Sequence, residues 1–105
     1  MQNQLLMQVE TSFPLTGLGV LVLPVPPAPA LAAYGLHTTL PVRLVLPSGE
    51  EATGLGSVEE VTRPGAAGAP ASTGRALLLT HEGAGPLPAG TLLYCLPPDA
   101  GEELT

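Results

Sequence analysis

Few side chains in this chain of 105 residues can do chemistry. It has one cysteine, Cys95, and two histidines, His37 and His81. A thiolate nucleophile needs an activating base and an exposed, electropositive setting. Cys95 lies instead in the apolar run Leu92-Leu93-Tyr94-Cys95-Leu96 and reads as a buried structural cysteine. His81-Glu82 could form a hydrogen-bonded pair. A zinc site, however, needs about three convergent ligands, and the chain has no CxxC or HxxxH spacing. His81 therefore reads as a solvated histidine at a strand end. Glu50-Glu51 and Glu59-Glu60 would serve acid–base catalysis only if their environments separated their proton affinities at one point in space. Neighbours in a strand point to opposite faces, so these pairs read as polar surface. The expectation is a non-enzymatic protein with no catalytic residue, no cofactor and no metal. The enzyme alternative uses Cys95 with His37 or His81 as its base.

One segment stands out for binding. Residues 24–36 carry Pro24, Pro26, Pro27 and Pro29 and not one charge. Val25, Leu31, Tyr34 and Leu36 are its candidate partner-binding side chains, because a proline-rich, uncharged stretch with an aromatic can dock a partner. The other reading is a cover over one end of the molecule. Residues 24–29 should be extended, in polyproline geometry. Residues 28–34 have room for one helical turn with Pro29 in its first position. Left in water the segment would be unfavourable. Leu31 and Leu36 are therefore expected to be largely buried; exposed together, they would mark a partner or self-association surface.

The elements that must hold this segment read as strands. Thirteen glycines and thirteen prolines break up the chain and leave no room for long helices. Residues 4–13 alternate, placing Leu5, Met7, Val9, Thr11 and Phe13 on one face, and Pro14 should end that strand or mark a bulge. Residues 17–23 are a continuous apolar run between Gly17 and Pro24 and read as a second strand. Residues 40–46 alternate again. Pro47-Ser48-Gly49-Glu50 is a turn, with proline fixing one dihedral and glycine accepting a positive one. Residues 51–61 return as its hairpin partner, with Gly54 and Gly56 suggesting a bulge or bend. Residues 64–74 hold no bulky apolar side chain and read as a flexible loop. Residues 75–81 and 91–96 are the last two strands, joined by the turn-rich link 82–90. Val20, Val22, Leu44, Leu78 and Leu93 are the expected core.

Six strands without helix-length segments between them predict an all-β domain, a single small six-stranded antiparallel β-barrel, or alternatively a β-sandwich. The domain should span residues 1–98, with 99–105 an acidic C-terminal tail. At this length the chain buries roughly 60–70% of its unfolded surface, enough for one core. With 45% hydrophobic but only 3% aromatic residues, that core must be mainly Leu, Val and Ala.

Charge narrows the partners. There is no lysine, only Arg43, Arg63 and Arg75 are basic, and the formal net charge is −6. No nucleic acid partner is therefore expected on counterion-release grounds, and an acidic membrane surface would repel the chain. No charge lies between Glu10 and Arg43, but prolines interrupt that stretch and forbid a spanning helix, so no membrane insertion is expected. The first residues lack the Lys or Arg of a signal peptide, and a lone cysteine forms no internal disulfide, which points to the cytoplasm. A protein partner is expected, with self-association open as well.

The run Phe13-Pro14-Leu15-Thr16-Gly17-Leu18-Gly19-Val20 resembles a motif in the second domain of translational GTPases such as elongation factor Tu. There a strand ending in Phe leads through Thr-Gly, a basic residue and Gly into a valine-rich strand. Val58-Glu59, Leu77-Leu78-Leu79 and Ala89-Gly90-Thr91-Leu92 follow in matching order and spacing. The resemblance covers residues 4–97 and implies a six-stranded β-barrel without the GTPase, since no lysine exists for a phosphate-binding loop. Leu18 stands where the family has its basic residue. The family's function would translate into a barrel that contacts the ribosome or a translation factor.

Overall fold

In a computed structural model, which describes residues 4–26 and 28–96, the chain forms six strands and one helical turn. They are β1 (Gln4–Leu15), β2 (Gly19–Pro24), α1 (Pro29–Ala32), β3 (Thr39–Val45), β4 (Glu51–Arg63), β5 (Ser72–Leu79) and β6 (Leu92–Cys95). All neighbours are antiparallel, and the sheet closes into a barrel in the order β1-β2-β5-β4-β3-β6. This is the six-stranded antiparallel barrel the sequence predicts. The expected acidic tail, residues 99–105, lies outside the described residues.

The barrel is filled by branched aliphatic side chains from every strand, as a core nearly free of aromatics requires. Leu6, Val9, Val22, Val42, Val58, Leu77, Leu79 and Leu93 are all but inaccessible. Of the expected core, Val20, Val22, Leu44 and Leu93 are buried, but Leu78 is only partly so. Its neighbours Leu77 and Leu79 point inward instead. Three consecutive leucines carry no period of their own, so their facing is set by pairing with Val22, Leu21 and Val20.

β1 departs from simple alternation for a similar reason. Its register slips between Leu5 and Met7 against β6, and between Val9 and Thr11 against β2. Each bulge moves the following side chains to the other face. Leu6, Met7 and Val9 therefore face the core, while Leu5, Thr11 and Phe13 turn outward. Pro14 does not end the strand, which runs on to Leu15 with Pro14 opposite Val20.

The corner between β1 and β2 depends on glycine. Gly17 and Gly19 both have positive φ, and a Cβ on Gly19 would lie 2.1 Å from the Leu79 carbonyl oxygen. Gly54 and Gly56 serve packing rather than a bulge, since the register with β3 is unbroken through both. A Cβ there would strike the His81 ring at 2.3 Å and the Leu77 side chain at 2.7 Å. The turn at residues 47–50 is as expected, with Gly49 at φ 97° donating to the Leu46 carbonyl.

β4 and β5 are longer than their sequence signals. They remain paired from Gly56–Leu79 out to Arg63–Ser72, so residues 72–74 belong to a strand and the exposed loop is shorter than expected. β2 pairs with β5 only from Val20–Leu79 to Val22–Leu77. The outer half of the β4–β5 hairpin therefore projects past the barrel wall, across from Pro24, Pro26, Pro29 and Ala32.

Candidate functional site

The proline segment closes one end of the barrel. After β2, the Val25 N–H donates to the Gln8 carbonyl, and the chain then turns into α1. A four-residue helix has no stability of its own. It is held by Leu31, 0% exposed, which enters the core as a plug. Pro29 occupies the first turn, as the sequence suggests, and no side chain caps the helix.

The four candidate side chains divide. Leu31 is buried as expected, and Tyr34 is partly buried against the core. Leu36 is 42% exposed, contrary to the expectation for it, and Val25 is 41% exposed. Leu36 lies just before a reversal of the chain at His37, whose φ is 67°. The His37 N–H donates to the Val58 carbonyl and fixes that reversal.

Residues 24–26 and 28–32 form a ridge with a hollow on each side. One hollow, about 360 Å³, lies against β1 and is lined by Leu5, Val25, Pro26 and Ala30 among others. Leu5 is 47% exposed, so with Val25 it gives this side an open apolar surface. The other hollow, about 420 Å³, lies between Pro24, Pro26, Pro29 and Ala32 on one wall and Val61, Arg63, Thr73 and Arg75 on the other. Arg63 ties the walls together by donating to the Pro24 carbonyl at 2.9 Å. Sequence reasoning found the ridge but not this second wall. The missing signal was the extension of β4 and β5 through a loop-like composition.

All three arginines have carboxylate partners: Arg43 with Glu51, Arg63 with Glu10 and Arg75 with Glu60. The Glu60–Arg75 pair spans directly opposite positions of β4 and β5. The Arg43 guanidinium also sits 5.2 Å from the Tyr94 ring centre on the outer wall. Two of the three cations thus line the larger hollow, whose lining contains no carboxylate.

The groups that could do chemistry are held apart. The Cys95 sulfur accepts from the Tyr34 hydroxyl at 3.6 Å and lies 3.5 Å from the Leu96 carbonyl oxygen. The hydrogen bond to Cys95 and, next, burial raise the Tyr34 pKa above its ordinary 10.0. His37 Nδ1 is 3.3 Å from Glu59 Oε2, which also accepts from Ser57 Oγ at 2.7 Å. This serine, glutamate and histidine are in the wrong order for a nucleophile, because the imidazole is not on the hydroxyl. His81 Nδ1 accepts the Leu55 N–H at 3.2 Å and so replaces a missing ladder partner. Glu59 and Glu60 diverge, to His37 and Arg75 respectively. Among the described residues, no group of three His, Cys, Asp or Glu side chains is placed to hold a metal ion. No helix among them is long and apolar enough to cross a membrane.

No family model matches the chain, and neither a curated protein nor a solved structure matches it.

Proposed function

We propose that this barrel is a non-enzymatic protein-binding module of the cytoplasm, serving as an adaptor, an inhibitor or an immunity-type protein. One observation carries the reading: a proline ridge, anchored by Leu31, stands between two open hollows with Val25 and Leu5 exposed beside it. Proline holds such a ridge in shape before binding, so little ordering entropy is lost on contact. The enzyme reading finds no support at Cys95, whose hydrogen-bond partners are Tyr34 and Leu96, while both histidines bond elsewhere. The fixed charge of −6, with every arginine already beside a carboxylate, supports a protein rather than a nucleic acid partner.

The test is capture from a lysate of the native host with the immobilised chain and its Val25→Asp variant. A partner retained by the first and lost from the second is the expected result. Equal capture by both, or capture by neither, refutes the assignment of this face.

A second reading keeps the resemblance to the elongation-factor barrel, in which this domain contacts the ribosome or a translation factor. Its support is the antiparallel six-stranded closure together with the positive φ of Gly17 and Gly19 in the shared motif. Co-sedimentation with ribosomes at low salt tests it, and a chain left wholly in the supernatant would end it.

A further inference from the structure

The larger hollow is bordered by an unfinished sheet edge. β5 has β4 along its whole length but meets β2 only at Leu77, Leu78 and Leu79. Backbone groups alternate sides along a strand. The Thr80 N–H points to β4, where it donates to the Leu55 carbonyl. Residues of the opposite parity therefore present their N–H and C=O to the other side. At Leu79 and Leu77 that side holds Val20 and Val22; at Arg75 and Thr73 it holds the hollow. Among the described residues, no backbone hydrogen bond outside the pairing with β4 involves residues 72–76. A Cβ built on Gly74 meets nothing within 4 Å, so the face of the sheet beside this edge is also open.

Such an edge is a template for another strand, and proteins ordinarily blunt it. Here it is instead set in a trough, opposite an apolar wall of Pro24, Pro26, Pro29 and Ala32. Arg63 and Arg75 line the trough while their carboxylate partners, Glu10 and Glu60, stand outside its lining, so each guanidinium keeps further N–H donors beyond its ion pair. A guanidinium has five N–H donors, and of these Arg75 gives one, Nη1, to Glu60. The edge from 72 to 76 is five residues long, which at about 3.4 Å per residue accommodates a short extended segment.

We propose that the open edge of β5 takes an extended peptide bearing an acidic side chain, which adds as a strand between β5 and the proline ridge. The inference rests on the protein-binding reading and names its partner's chemistry. Main-chain bonds to Thr73 and Arg75 would hold the peptide, and its apolar side chains would lie on Pro26 and Ala32. A carboxylate would meet the free donors of Arg75 or Arg63. A second copy of this chain fits less well, because edge-to-edge pairing would bring the same guanidinium groups to both sides.

The experiment is to pan a phage-displayed random decapeptide library on the full chain. Recovered sequences are then synthesised for fluorescence anisotropy and amide hydrogen exchange. Recovered peptides should be enriched in Asp or Glu. They should slow exchange at Thr73 and Arg75 by at least about tenfold, as new ladder bonds do. Thr73→Pro removes an outward N–H without a bond to β4, and should weaken binding by roughly tenfold or more while the unfolding transition stays cooperative. Should that variant not fold, Arg75→Gln is the second probe; it should weaken acidic peptides and flatten their salt dependence. Recovered peptides without acidic enrichment, or unprotected Thr73 and Arg75 amides, would overturn the proposal. Protection that grows with protein concentration alone would put a second copy in the trough and overturn it equally. If no peptide is recovered while Val25-dependent capture of a folded partner persists, strand addition fails and the protein-binding reading stands.

Discussion

Replacing Leu31 with alanine tests how the ridge is held. α1 is a single turn without a side-chain cap, and its only wholly buried residue is Leu31. Leu31→Ala removes three carbons from the core. At about 0.8 kcal/mol per buried CH₂ the transfer loss is roughly 2.4 kcal/mol. A residual cavity raises this toward the upper part of the roughly 2–5 kcal/mol range for buried leucines. For a domain of this size each kcal/mol lowers the melting temperature by about 4–8 °C, so a fall of roughly 10–40 °C is expected. Leu36→Ala, at a side chain 42% exposed, is the internal control and should cost under about 1 kcal/mol. Urea titration of both variants, followed by far-ultraviolet circular dichroism, supplies the comparison. A loss below about 1 kcal/mol for Leu31→Ala, or a larger loss at Leu36, would show that the ridge is not anchored through the core.

Further tests follow the same logic. Leu77→Ala should destabilise by about 2–5 kcal/mol and Leu78→Ala by clearly less, which chemical denaturation can rank. Gly19→Ala combines a φ of 138° with a contact on the Leu79 carbonyl, so it should cost at least about 2 kcal/mol, whereas Gly17→Ala, facing open space, should cost only the strain of its positive φ. His37→Gly should leave stability unchanged or raise it by up to about 1 kcal/mol, because glycine accepts the φ of 67° freely, while His37→Val should lower it. Tyr34 has a pKa raised in the fold, so its contribution is complete below pH 10 and is lost as pH rises through the raised value; absorbance titration of Cys95→Ala should show Tyr34 ionising earlier than in the parent chain.

The fold was legible because period-two segments and breakers survive in most of the chain. The run 40–46 with its Pro-Ser-Gly turn needs no tertiary information, and β3 and β4 follow it directly. The bulges of β1 were not legible, because an inserted residue leaves no mark on an alternating pattern until its partner strands are known. The triple leucine of β5 was similarly mute, its facing fixed by pairing with β2 and β4. At the site, the absence of charge and the density of proline exposed the ridge. Its opposite wall was hidden because Ser72, Thr73 and Gly74 look like loop, and only pairing with Arg63, Thr62 and Val61 makes them strand.

The measurement closest to the central claim is site-specific photo-crosslinking in the native host. A benzophenone side chain would be placed at Val25, on the ridge, and in a second chain at Ser48, in the exposed turn at the far end of the barrel. The account predicts a discrete protein adduct from position 25 and none from position 48. Adducts from 48 alone, or the same adducts from both positions, would contradict it.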